Sequence, residues 1–126
     1  MSDVYSNEIQ ASLERYREHA RQHGQAVASG NSQSANHALA ELLRVRREIR
    51  TLGPAAVQAL LALLDAREPE IRLHAAVDAL EFAPADGQRI LAKLAAGDDG
   101  AHPLIAHDAD MSLTLWREGS FKVPWW

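Results

Sequence analysis

Apolar residues recur at three- and four-residue intervals along most of the chain, the period of an amphipathic helix and not of a strand. From about Asp3 to Ala28 the stripe is Val4 or Tyr5, Ile9, Leu13, Tyr16, Ala20 and Val27, with Glu14, Arg15, Glu18 and Arg21 opposite. Ser29-Gly30-Asn31-Ser32 then supplies a left-handed stop and a fresh N-cap. A second helix over about Ser34 to Leu52 carries Ala35, Leu39, Leu42, Val45 or Arg46, Ile49 and Leu52 on its inner face. Gly53-Pro54 closes it and opens the next, because proline at a first-turn position loses no hydrogen bond.

Beyond Pro54 the pattern repeats. Pro54–Ala66 and Pro84–Ala96, thirty residues apart, agree at seven of thirteen positions, among them Pro54/Pro84, Leu61/Leu91 and Leu64/Leu94, while Leu60 is answered by Ile90. A proline-opened helix recurring at a fixed offset is the mark of a stacked helical array. Between the copies, Glu68 to Leu80 reads as a helix with Ile71, Ala75, Ala76 and Leu80 inward. After the Gly97-Asp98-Asp99-Gly100 turn, Pro103 opens a last helix through about Trp116. There Leu104, Ile105, Ala109, Met111, Leu115 and Trp116 trace no single stripe. The expected fold is all-α, five to six antiparallel helices in one domain: a hairpin over 1–52, a pair over 53–83, a degenerate pair over 84–117 and an aromatic tail over 118–126.

Composition narrows the function. The chain has 126 residues, 47% of them hydrophobic, and no cysteine, which excludes disulfides, thiolate metal sites and a cysteine nucleophile. A formal charge of −4 argues against nucleic acid as a partner. Met1-Ser2-Asp3-Val4 lacks the basic start of a secretion signal, and the Ala55–Leu64 apolar run is too short for a bilayer, so a cytoplasmic protein without membrane contact is expected.

Leu52-Gly53-Pro54 through Leu80 resembles a HEAT-type repeat. The first helix carries Val57, Leu60, Leu61 and Leu64 with Asp65 at its end, and Pro69-Glu70-Ile71-Arg72 leads into a second with Ala75-Ala76 and Leu80. The whole chain is similar to the small bacterial family called domain of unknown function 2019, in which a helical hairpin precedes a HEAT-like pair and a tail of the Met111–Lys122 kind. That resemblance implies a short α-α superhelix, brings no catalytic residues, and points by analogy to immunity partners of bacterial toxins.

Several groups could carry chemistry. His19 and His23 stand four apart on one helix face, and His102, His107, Asp108 and Asp110 form the densest cluster of ligand-type side chains. His74 and Asp78, one turn apart, read as a surface ion pair, and Arg44, Arg46, Arg47 and Arg50 as a basic helix end suited to the dipole or to an acidic surface. Trp116, Phe121, Trp125 and Trp126 crowd the final eleven residues; they either cap an open end of the stack or anchor a partner.

The reading these features give is a non-enzymatic protein-binding module with no cofactor and no metal, an immunity or inhibitor protein for a toxin being one form of it. Its expected contact residues are Glu68, Glu70, His74, Asp78, Glu81, Trp125 and Trp126. The alternatives are a metal-dependent enzyme using His102, His107 and Asp110, and a homodimer built on the open repeat edge or the tail.

Overall fold

The computed structural model describes residues 2–97 and 100–121. Among them are six helices and no strand: α1 (Ser2–Ala28), α2 (Ser32–Leu52), α3 (Pro54–Leu61), α4 (Pro69–Phe82), α5 (Pro84–Ala95) and α6 (Pro103–Arg117). The expected all-helical class is what the structure shows. A 3₁₀ turn over Ala62–Asp65 continues α3. Among the described residues the helices gather into two compact units, one ending at Ala62 and the other running from Leu63 to Phe121. The helices expected as a pair over 53–83 therefore fall in different units, α3 in the first and α4 in the second.

In the first unit α1 and α2 form a hairpin. Gly30, at φ +74°, ends α1: its N–H donates to the Val27 carbonyl at 3.1 Å and the Asn31 N–H to the Ala26 carbonyl at 2.9 Å. This paired pattern closes a helix with glycine in the left-handed region. Asn31 then caps α2, its side-chain oxygen accepting from the Ser34 N–H at 3.0 Å. Ile9, Leu13, Tyr16 and Ala20 of α1 are buried, as are Leu42, Val45 and Ile49 of α2, so the middle of each expected stripe faces inward; toward the ends Val4 and Tyr5 are exposed, and Ala26 and Ala38 are buried where the stripes predict Val27 and Leu39. Gly53 joins α2 to α3 at φ +102°, ψ −170°, a region open essentially to glycine alone. The Tyr5 hydroxyl donates to the neighbouring Leu52 carbonyl.

In the second unit α4 packs against both α5 and α6. It buries Ile71, Leu73, His74, Ala75, Ala76, Asp78, Ala79 and Leu80, positions too spread around the helix for a single stripe. Against it α5 sets Gly87, Ile90, Leu91 and Leu94. The last helix buries Ile105, Ala109 and Leu113, a regular four-residue series hidden in the sequence by the apolar residues interleaved with it. Its first turn is capped by His102, whose Nδ1 accepts from the Leu104 N–H at 3.1 Å. Gly119, at φ +74°, ends it with the same paired pattern as Gly30, to the Trp116 and Leu115 carbonyls.

The thirty-residue offset has a structural counterpart. Leu60 and Ile90 are both buried, as are Leu64 and Leu94, whereas Leu61 is half-buried against a fully buried Leu91 and Ala56 is buried against an exposed Asp86, so the two proline-opened segments turn some but not all equivalent positions inward.

Candidate functional site

The acidic face expected on α4 is smaller than its sequence suggests. Asp78 is 0% exposed and His74 only 6%, so neither can meet a partner, and the two residues expected as a surface ion pair lie instead in the interior of the second unit. The reason is the position of α4: a helix covered on more than one side draws polar side chains inward wherever they fall, provided they find interactions there. Glu68, Glu70 and Glu81 are half-buried. Trp125 and Trp126 lie outside the described residues, while Trp116 and Phe121 are half-buried.

The histidine groups do not converge. Among the described residues no set of three or more histidine, aspartate or glutamate side chains is placed to hold a metal ion. His102 is engaged as the α6 cap, and His107 and Asp110 are exposed farther along that helix. His19 pairs through Nδ1 with the Gln22 side-chain oxygen at 3.1 Å.

The arginine group is likewise divided. Arg46 is only 4% exposed and packs in the first unit, which removes it from any basic patch. Arg44 lies 3.6 Å from Glu41, and Glu48, beside Arg47 in the sequence, is taken by Arg15 of α1. Arg15, Arg44 and Arg47 line a groove of about 550 Å³ between α1 and α2, but Glu8 and Glu48 line it too. Interleaved charge of this kind makes an ordinary solvated surface.

What sequence reasoning missed is the outer face of α6. Leu104 is 43% exposed and Met111 48%, and at seven residues apart they stand on one side of the helix, away from Ile105, Ala109 and Leu113. His107 and Asp108 border them, and Leu115 on the same line is half-buried. The signal was present: once the four-residue series 105, 109, 113 is assigned to the core, Leu104 and Met111 remain as apolar residues with no inner face to occupy.

Charge is unequal along the chain. Residues 63–126 hold 11 of the 17 acidic residues and 6 of the 13 Lys and Arg, a formal charge of −5, whereas residues 1–62 hold 6 acids against 7 bases, or +1. Among the described residues no helix is long and apolar enough to cross a membrane. Fold and surface thus define an all-helical protein of two small units, the second acidic and with an apolar pair on its last helix. No family model matches this chain, and no curated protein or solved structure does either.

Proposed function

We propose that this chain is a non-enzymatic, cytoplasmic protein-binding module of HEAT-like kind that docks a basic partner protein on the outer face of α6. The observation that carries the reading is the exposed Leu104–Met111 pair. Two large apolar side chains on one helix face, bordered by a carboxylate, have the composition of an interface centre with a polar rim. The −5 charge of the surrounding sequence selects a partner of opposite sign and speeds its approach. The HEAT-like assignment rests on the thirty-residue repeat and those of its inward positions that match, and the resemblance to domain of unknown function 2019 agrees with it. A basic toxin held inactive by this face fits the same surface.

The test uses the full chain, tagged at its N-terminus, in lysate of its native host at about 0.15 M salt, where exposed charges act over about 8 Å. The expected capture is a basic protein, released as salt is raised. Retention falls at least about tenfold when Leu104→Lys and Met111→Lys are combined, since losing two apolar anchors exceeds the ~1.4 kcal/mol that a factor of ten requires. Both side chains are exposed, so the helical circular dichroism of the variant stays that of the parent. Capture indifferent to the two substitutions contradicts the proposal.

A further inference from the structure

The outer face of α6 differs chemically from the rest of the described surface because it carries an accessible sulfur. The sequence has no cysteine and two methionines, Met1 and Met111, so among the described residues sulfur redox chemistry rests on Met111 alone. Its side chain is exposed, while Ile105, Ala109 and Leu113 on the other side of the helix are buried. The thioether therefore meets an oxidant in solution without any opening of the core, and its modification leaves the packed residues in place. Oxidation of a buried methionine has the opposite consequence, since a polar group then stands inside the packing.

We propose that Met111 is a modification site, converted reversibly to the sulfoxide by a hydroperoxide, and that the sulfoxide switches off docking at this face. The effect on docking rests on the reading of the face as a contact surface; the selectivity of the oxidation and the survival of the fold do not. In the reaction the sulfur lone pair attacks one oxygen of the hydroperoxide, an S–O bond forms and the O–O bond breaks. Sulfur gives up two electrons, and the departing oxygen takes the proton of the transferred one, so hydrogen peroxide leaves as water. A dithiol reductase reverses the change: two thiols become a disulfide, the sulfoxide oxygen leaves as water and the thioether returns.

The neighbours of Met111 suit both steps. Asp108 and Asp110 lie on the same helix, in a half of the sequence with more acidic than basic residues, so a neutral hydroperoxide approaches where an anionic oxidant is repelled. His107, one turn earlier on the same face, offers an imidazole N–H to the new oxygen in the free chain. A partner surface closing over this face has to strip water from a strongly dipolar S–O group where an apolar anchor stood, which costs affinity unless the partner replaces the lost hydrogen bonds. Leu104, the other anchor, has no such chemistry, so the control falls on one side chain.

Hydrogen peroxide added to the full chain at neutral pH tests this. Mass mapping is expected to place one added oxygen on the peptide containing Met111, with the helical circular dichroism unchanged. Elution from a hydrophobic-interaction matrix moves earlier, and retention of the basic protein from lysate falls several-fold. The two methionine sulfoxide reductases, one for each sulfoxide epimer, together restore both. Met111→Leu has no sulfur at this position, so its elution and retention are the same before and after peroxide, with Met1 still present as the control. Loss of helix on oxidation, a Met111 that stays unoxidised while free methionine is consumed, an elution shift that persists in Met111→Leu, or retention indifferent to oxidation overturns the proposal. An earlier elution from a chain that captures no basic protein even before peroxide overturns the docking reading and supports the modification site.

Discussion

Gly87→Ala lowers stability by about 2 kcal/mol, although helix propensity alone predicts a gain of up to ~1 kcal/mol for alanine over glycine inside a helix. The two effects have opposite signs, and geometry decides between them. A Cβ at position 87 would stand 2.7 Å from the Ala76 carbonyl oxygen, 3.1 Å from the Leu80 nitrogen and 3.2 Å from the Leu80 Cδ2. Two of those atoms are backbone of α4, held by the helix's own hydrogen bonds, so no side-chain rotation relieves the contact. Overpacking of this kind costs about 1–3 kcal/mol, and occasionally more when helices must separate. Urea unfolding followed by circular dichroism checks it: the midpoint falls while the slope stays constant. An unchanged or raised midpoint means that α4 and α5 are not in backbone contact at Gly87.

Tyr16→Ala is the second large effect, a loss of about 3–5 kcal/mol. Tyr16 is fully buried in the first unit, and no larger side chain there is so completely enclosed. An aromatic ring removes roughly 150–250 Å² from water, and its deletion leaves a cavity that two helices joined through a tight glycine turn cannot fill by collapse. Total stability of a domain is about 5–15 kcal/mol, so the variant populates unfolded chain at modest urea. Tyr16→Phe keeps the ring and loses only the hydroxyl's interactions, about 1 kcal/mol. Equal losses in the two variants would place the stabilisation in the hydroxyl and contradict a packing role for the ring.

How far the sequence speaks differs from element to element. The α1–α2 hairpin is readable because each helix has one buried face and its ends carry their own chemistry in Gly30, Asn31 and Gly53-Pro54. The helix α4 defeats the same reasoning. With neighbours on more than one side its buried set is no longer one stripe, and His74 and Asp78, polar by type, are inside by position. Arg46 shows the converse within a legible helix: its spacing from Leu42 and Ile49 puts it on the inner face, where an arginine stem packs as an apolar chain. In α6 two apolar sets overlap, one for the core and one left outside, and only packing tells them apart. A cleft of about 210 Å³ lined by Arg72, Arg89 and Lys93 has no local signature at all, since these residues stand on two helices, α4 and α5, and meet only through their packing. For the same reason the proline-opened segments are legible as helices, but not the neighbour each one packs against.

The claim that α6 and not α4 carries the contact surface is tested most directly by site-specific photocrosslinking. A benzophenone amino acid placed singly at 104, 111, 70 and 81 in the full chain is irradiated in native lysate. The account predicts one shared basic protein crosslinked from positions 104 and 111 of α6, and none from 70 and 81 of α4. Crosslinks from 70 and 81 with none from 104 and 111 would contradict it, returning the interface to the acidic helix.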